Sequence, residues 1–263
     1  MNTWRRRALS GYSWAMLVFL YLPIAILMLY SFNQSRINAV WSGFTWKWYV
    51  SLFENRQVME ALGNSVTIAL ISSVLATLLG TAAALAMKHF SLRWRSIVHA
   101  LIYLPIVIPE IMMGLSLLVL FSQLHIELGK ATLVMAHVTF SMPFVMVIIA
   151  ARLADMGSEL EEAAQDLGAT PWETLRHVTL PLISPSILAG FLMSFTLSLD
   201  DFIISFFVAG PNSTTLPLYI YGLVKRGVSP EVNALSTLLI ACTVLLVVVA
   251  ELLRRKDSKS ITL

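Results

Sequence analysis

Charged residues are scarce in this sequence, and this limits the kinds of protein it can encode. Only 13% of the 263 residues are Asp, Glu, Lys or Arg, and 57% are hydrophobic. Soluble domains average about 25% charged residues. Long stretches therefore carry no charge, which predicts a membrane protein. The formal net charge of +3 is small and the basic residues are dispersed, which argues against nucleic-acid binding.

Several patterns that would indicate an enzyme are also missing. Cys242 is the only cysteine and lies in an apolar run, so an intrachain disulfide is excluded. The five histidines show no metal-ligand spacing. No GxxxxGKS or GxxxxGKT loop is present, and no nucleophile lies beside a base. The sequence therefore predicts a non-catalytic protein that holds no metal and no cofactor of its own.

Six apolar stretches are long enough to cross the roughly 30 Å of hydrocarbon in a bilayer. They run over about Tyr12–Phe32, Leu62–Met87, Ile97–Phe121, Ala131–Ala151, Pro185–Val208 and Ala234–Leu253. The first follows a run of three arginines, as in a signal peptide, but it is longer and lacks a small-residue cleavage site, so we expect a retained anchor. The pattern predicts an all-α polytopic fold with six transmembrane helices in one membrane domain, residues 1–263.

The distribution of Lys and Arg predicts the orientation of the chain. With the N-terminus inside, twelve of the eighteen Lys and Arg lie on the inner side and six on the outer side. Cytoplasmic loops are the ones enriched in these residues. Both termini are therefore predicted to be cytoplasmic, together with the polar loop between the fourth and fifth stretches.

Three acids, Glu110, Asp200 and Asp201, lie inside apolar stretches. A charge at the bilayer centre costs on the order of 2.5–3.5 kcal/mol, so such residues normally face a partner or a cavity. At about 1.5 Å per residue, Glu110 and Asp200 lie roughly 20 and 22 Å along their helices, and thus at one depth. A collar of acids suits a cationic solute, and Ser198 adds a neutral acceptor beside it.

The same acids allow structural interpretations. They could pair with Lys225 or Arg226, cap a broken helix, or face a partner subunit. Pro105 and Pro109 are expected to interrupt the third stretch, where they either kink the helix or free backbone groups that line a cavity. Two successive helical residues diverge by about 100°, so the two aspartates cannot face one point without local unwinding.

The longest outer loop, residues 33–61, is rich in aromatic residues, and Trp48 is its candidate for solute contact. Tryptophan rings attract ammonium groups by about 0.5–2 kcal/mol. The alternative is that Trp48 anchors the chain at the membrane interface.

The polar loop before the fifth stretch predicts two short helices joined by an elbow. Ser158 is placed to cap the first helix, with Glu161 closing a capping box. Gly168 stands where a left-handed residue would end that helix. An apolar face at helical spacing is formed by Leu160, Ala163, Ala164 and Leu167.

The second helix of the pair has its own start and stop signals. Thr170 and Glu173 form a capping box around Pro171, which suits the first helical position. Pro181 is expected to block continuation of this helix. A doubly capped helix pair on one face of a membrane protein predicts a docking element.

This loop resembles the EAA loop of ABC-importer permeases. The matching residues, with Val in place of the family's Ile, are Glu162, Ala163, Ala164, Gly168, Val178, Leu180 and Pro181. The resemblance implies a type I ABC importer permease fold with its core over residues 60–253. It also implies that residues 155–181 form a cytoplasmic coupling loop against an ATPase subunit, which would bind ATP and Mg²⁺ in place of this chain.

Further segments resemble one branch of that family, the permeases that import polyamines (spermidine and putrescine). They include SFTLSLDD at 194–201, GVSPEVNA at 227–234 and HVTF at 137–140. The resemblance is to the second of two paralogous permeases, which assemble in the bacterial inner membrane with two copies of an ATPase and a periplasmic polyamine-binding protein. The positions that it associates with solute passage are Trp48, Glu110, Ser198, Asp200 and Asp201.

Two other functions are compatible with the sequence. Permeases for other solutes share the EAA loop, but an anion path should carry basic residues, and no stretch has Lys or Arg near its middle. An ion-coupled secondary transporter could use Glu110 as a proton relay, although this leaves the helix–elbow–helix loop unexplained.

Overall fold

A computed structural model describes residues 3–35, 40–89, 95–227 and 230–260, and it shows helices with no strand over these ranges. Besides a π-helix at Leu175–Thr179, the helices are α1 Thr3–Tyr30, α2 Lys47–Glu54, α3 Arg56–His89, α4 Arg95–Val107, α5 Glu110–Gln123, α6 Lys130–Met156, α7 Glu159–Asp166, α8 Pro171–Thr174, α9 Leu180–Asp200, α10 Ile203–Val208, α11 Leu216–Arg226 and α12 Pro230–Ser260. This confirms the predicted all-α fold.

The chain divides into two compact units. The first comprises Met1–Met59 and Tyr219–Leu245, and the second comprises Glu60–Leu218 and Leu246–Leu263. In the first unit, Asn33 is buried and organises the loop after α1, because its side chain bonds to the backbone of Val40 and Ser42 at 2.9 Å each. Asn55, after α2, reaches Tyr219 and Glu231.

Helix α6 is the centre of the second unit and packs against α4, α5, α9 and α10. Two apolar clusters lie along it. One is formed by Ile68, Met113, Phe121, Leu133, Ala136, Phe140, Ile204 and Val208. The other is formed by Ala76, Ala84, Met87, Val145, Met146, Ile149, Leu153 and Ile183.

Glycines let α3 and α9 approach α6 closely around Val145, which is fully buried. A Cβ atom added at Gly80 would lie 2.9 Å from the Val145 side chain, and one added at Gly190 would also lie 2.9 Å from it. Small residues at helix contacts are typical of membrane proteins, where van der Waals packing drives helix association.

Among the described residues, four helices are long and apolar enough to span a membrane: Leu9–Tyr30, Arg56–Lys88, Lys130–Met156 and Pro171–Asp200. A fifth span is possible if Ser96–Val107 and Glu110–Gln123, which meet at 109°, cross together. Pro230–Leu245 is a shorter apolar helix. The chain is therefore polytopic, while the count of six spans stays a prediction.

Two of the predicted continuous spans are broken in the structure. The third bends between α4 and α5 at Pro109, whereas Pro105 lies within α4, so only one of the two prolines ends a helix. The fifth separates into α9 and α10 at Asp201, whose ψ of 124° is extended. The first break has a proline that lacks an N–H, and the second has a side chain that takes over backbone hydrogen bonds.

The close contact of α3 with α6 leads to a test. Gly80→Ala should destabilise the protein by about 1–3 kcal/mol because the added methyl group overpacks against Val145. Gly63→Ala is a matched control on α3, since a Cβ atom there meets nothing within 4 Å. The measurement is the thermal unfolding midpoint in detergent.

Val145→Ala should not rescue Gly80→Ala, because the Val145 Cβ atom and the Met142 backbone oxygen, 2.9 and 3.0 Å from the added methyl group, both remain. Equal unfolding midpoints for Gly80→Ala and Gly63→Ala would contradict the packing of α3 on α6.

Candidate solute site and coupling loop

The two helix breaks bring the predicted intramembrane acids together. Glu110 is the first residue of α5, directly after one break, and Asp200 is the last residue of α9, directly before the other. Both side chains are exposed, and the Asp200 carboxylate lies within electrostatic range of Glu110 and Asp201. The expectation that these acids share one depth in the membrane stays a prediction.

Close packing of α5 on α10 joins the two breaks. A Cβ atom at Gly114 would lie 2.7 Å from the Phe207 ring and 3.4 Å from the Ile204 Cα atom. Glycine at this position therefore allows two helices to lie in contact just beyond the acids. Broken helices of this kind are tolerated in membranes where they line a cavity or are buried in protein.

Asp201 differs from Asp200 because it is only 8% exposed and its carboxylate is hydrogen-bonded within the protein. Its carboxylate accepts hydrogen bonds from the backbone N–H groups of Ile204 (3.2 Å) and Ser205 (2.8 Å), at the start of α10. Its Oδ2 atom also lies 3.3 Å from Nε2 of His137. Of the interpretations left open by the sequence, the cap of a broken helix describes this residue.

A chain of buried polar side chains extends from this cap. His137 on α6 has no exposed surface, and its Nδ1 atom lies 2.6 Å from the Ser198 hydroxyl of α9. Its Nε2 atom lies 3.1 Å from the Ser205 hydroxyl of α10. Ser198 in turn lies 3.0 Å from the Ser72 hydroxyl of α3. Ser198 is thus buried in a network that connects four elements.

Sequence reasoning did not assign roles to His137, Ser205 or Ser72. A histidine in the middle of an apolar stretch indicates a buried hydrogen-bond network, because a buried polar ring needs hydrogen-bond partners. The partners themselves are up to 68 residues away along the chain, and only the packing of the helices identifies them.

Trp48 lies in the first unit and is 7% exposed. Its indole N–H donates to the backbone oxygen of Asn33 at 2.7 Å, so the ring helps to hold the loop after α1. Two exposed aromatic rings of this loop contact Phe32: Phe44 stacks on it, and Trp46 meets it edge to face. A role for Trp48 in solute passage stays a prediction.

Residues 155–181, the predicted coupling loop, show the expected elbow and the second capping box. Gly168 has a φ of +92°, in the left-handed region. The Thr170 hydroxyl accepts from the backbone N–H of Glu173, whose carboxylate accepts from the N–H of Thr170 at 2.8 Å. Pro171 occupies the start of α8.

The first capping box, predicted from Ser158 and Glu161, is wrong. Ser158 makes no side-chain cap bond, and its backbone is helical rather than extended. Glu161 turns inward and is 7% exposed. Its carboxylate lies 2.9 Å from Lys88 Nζ at the end of α3 and accepts a hydrogen bond from the Thr179 hydroxyl at 2.8 Å. A charge-assisted bond to the half-buried Lys88 replaces the exposed cap.

The predicted stop at Pro181 is also wrong. Pro181 lies in the first turn of α9, and the π-helix Leu175–Thr179 directly precedes it. A proline removes one hydrogen bond and clashes with the carbonyl four residues before it. The wider π turn accommodates both effects, so the helix continues into the membrane-spanning segment.

The predicted apolar face of the first coupling helix is exposed. Leu160 is 50% exposed and Leu167 is 90% exposed, and Trp172 on α8 is 66% exposed. A cavity of about 540 Å³ lies between the coupling loop and α3, lined in part by Trp172 and Leu85. Of the EAA-like residues, Glu162, Ala163, Gly168 and Pro181 are exposed, and Ala164 and Leu180 are half-buried.

Comparison with known proteins agrees with this architecture. Residues 76–259 match the family described as binding-protein-dependent transport system inner membrane component. The spermidine/putrescine transport system permease protein PotC of Escherichia coli (strain K12) is 43% identical over 253 residues, 96% of each chain. The putrescine transport system permease protein PotI of the same organism is 43% identical over 229 residues, 84% of this chain and 82% of PotI.

A solved structure shares the fold. The crystal structure of a bacterial alginate ABC transporter, in complex with its alginate pentasaccharide-bound periplasmic protein, contains a chain that superposes with a TM-score of 0.71 at 20% identity, covering 98% of this chain and 99% of that one. The predicted type I permease fold is confirmed. The chain belongs to the binding-protein-dependent transport system inner membrane components, and it is the membrane-embedded, non-catalytic permease of an ABC importer.

Proposed function

We propose that this permease carries polyamines, putrescine or spermidine, across the inner membrane. The observation that carries the proposal is that two exposed carboxylates, Glu110 and Asp200, lie at the two helix breaks within electrostatic range of each other. Both relatives reported above are named as polyamine permeases. Polyamines carry several ammonium groups, which carboxylates attract.

The charge of the surrounding helices supports a cationic solute. Helices α5, α9 and α10 contain no Lys or Arg. An acid at the mouth of a broken helix therefore meets no competing basic side chain from these three elements. The acids must hold the solute weakly, because a permeating solute that binds too tightly does not leave. Because Glu110 and Asp200 lie on separate helices, a movement of the helices apart would weaken their joint hold on a solute.

We further propose that residues 155–181 couple the permease to an ATPase. Leu160, Leu167 and Trp172 present an apolar surface beside the exposed Glu162 and the left-handed Gly168. Exposed apolar patches of this kind are typical of protein interfaces. The ATPase would bind ATP and Mg²⁺, and this chain would bind neither.

The assembly proposed is that implied by the polyamine branch of the family. It contains this chain, a paralogous second permease, two copies of the ATPase and a periplasmic polyamine-binding protein. Both termini and the coupling loop lie on the cytoplasmic side, with residues 60–253 as the permease core. Binding of ATP closes the ATPase pair, and the coupling loop passes that motion to α3 and α9.

Lys88, Glu161 and Thr179 supply the contacts for this transmission. The Glu161 carboxylate on α7 contacts two elements. It pairs with Lys88 at the end of α3, and it accepts a hydrogen bond from Thr179 in the π-helix that leads into α9. Lys88 also donates to the Gly157 oxygen at the end of α6, at 3.2 Å. Movement of one short helix is thus passed to three long ones.

Uptake assays test the solute. We expect cells that express the complete importer to take up labelled putrescine or spermidine, with unlabelled polyamine competing and sulfate having no effect. Asp200→Asn and Glu110→Gln should each lower uptake about tenfold, the factor given by about 1.4 kcal/mol. Uptake that persists without the ATPase subunit and stops with an uncoupler would instead indicate an ion-coupled transporter.

The docking surface is tested by charge insertion. Leu167→Asp should weaken co-purification of the ATPase subunit, because a buried unpaired carboxylate in an interface is costly. Leu124→Asp is a matched control, since Leu124 is 59% exposed in the turn after α5. Equal ATPase recovery for both variants would remove Leu167 from the docking surface.

A double-mutant cycle tests the transmission contacts. Glu161→Gln and Lys88→Met should each lower uptake per ATP hydrolysed roughly ten- to a hundredfold, since hydrogen bonds to charged groups contribute about 1.5–3 kcal/mol and about 1.4 kcal/mol is tenfold. The double variant should be no worse than either single one. Glu159→Gln, an exposed neighbour on α7, is the control. Additive losses in the double variant would show that the pair does not act as a unit.

A further inference from the structure

His137 contacts both sides of the break between α9 and α10. Its Nδ1 atom meets Ser198, before the break, and its Nε2 atom meets Ser205, after it. The same Nε2 atom meets the carboxylate of Asp201 in the break itself. The ring is completely buried. A single side chain on α6 therefore fixes where α9 ends and where α10 begins.

The hydrogen bonds of Asp201 leave little of its charge for a solute. Two backbone N–H groups and the His137 ring surround its two oxygens. A carboxylate with three donors is well satisfied, so it has no need of a cationic solute. Only 8% of Asp201 is exposed, so little of its surface is open to a solute.

Asp200 has the opposite environment. It is exposed, and its neighbours in electrostatic range are the acids Glu110 and Asp201. Asp200 ends a helix while Asp201 has extended backbone, so their side chains leave the chain in different directions. Two adjacent and chemically identical residues thus stand in different surroundings.

We propose that His137 is a positioning residue that divides the two aspartates between two roles. It holds Asp201 as the cap of α10 and leaves Asp200, with Glu110, facing the solute. The division rests on the proposed function of Asp200 and Glu110 as the solute site. We call the buried set of His137, Asp201 and Ser198 the brace. Ser198 belongs to it because its hydroxyl lies between His137 and Ser72 inside the protein.

The brace matters for transport because Asp201, once free, would be a third carboxylate at the solute site and would make that site bind a cation more tightly. Without the imidazole, Asp201 loses its bond across the break and the joint between α9 and α10 loosens. The released charge then joins Asp200 and Glu110, and a cationic solute is held too strongly to leave. ATP hydrolysis continues under these conditions, so uptake per ATP falls.

The test uses the complete importer in proteoliposomes, with the ATPase inside and the loaded binding protein outside. The variants are His137→Gln, Asp201→Asn and Asp200→Asn, together with the double variants that combine His137→Gln with each aspartate change. Three quantities are measured: putrescine uptake, ATP hydrolysis stimulated by the binding protein, and the thermal unfolding midpoint.

His137→Gln should lower uptake per ATP about tenfold, and adding Asp201→Asn should recover most of that loss because the two residues act as a pair. Adding Asp200→Asn should not recover it. The unfolding midpoint should fall in Asp201→Asn, which weakens a buried cap, and should not fall in Asp200→Asn, which removes repulsion between exposed acids.

Two results would overturn the division of roles. One is equal recovery, or none, from the two aspartate changes in the His137→Gln background. The other is an equal fall in unfolding midpoint for Asp200→Asn and Asp201→Asn. If wild-type protein transports no polyamine, the proposed solute is wrong, and the unfolding midpoints of the same variants still decide whether His137 is coupled to Asp201 alone.

Discussion

Backbone groups that are freed where a helix breaks within a membrane have no water to bond, and the second unit is built around this constraint. At the break between α9 and α10, the Asp201 carboxylate takes the place of the carbonyl groups that a continuous helix would offer to Ile204 and Ser205. That carboxylate is itself charged and buried, so it needs a partner. His137 supplies it, and Ser198 and Ser72 extend the network to α3. Residues of four elements, α3, α6, α9 and α10, thus form the hydrogen-bond network that stabilises this break.

The exposed pair of acids is a consequence of the same arrangement. Because Asp201 is occupied, Asp200 is the acid left at the end of α9, and α5 brings Glu110 to it through its contact with α10 at Gly114. A helix pair without these breaks would bury its acids or separate them. The proposed solute site is therefore formed by two helix ends, Glu110 at the start of α5 and Asp200 at the end of α9.

The sequence alone points to the acids within apolar stretches and to the helix–elbow–helix loop, because each is a local pattern of charge, hydropathy or capping residues. The common depth of the acids and the coupling role of the loop stay predictions. Local patterns also predicted the left-handed Gly168 and the box of Thr170 with Glu173, and both are present. The failures share one cause, which is competition from distant residues. Glu161 bonds to Lys88, 73 residues away, and does not cap its own helix, and His137 meets its partners only when α9 and α10 pack against α6.

The π-helix before α9 affects the direction in which Trp172 points relative to α9. A π turn holds about one more residue than an α turn, and each helical residue corresponds to a rotation of about 100°. Loss or gain of a single residue at Leu175–Thr179 would therefore swing Trp172 around the axis of α9 without changing the membrane segment after it. One inserted or deleted residue in this wide turn would therefore change the direction of the proposed coupling surface while α9 keeps its place.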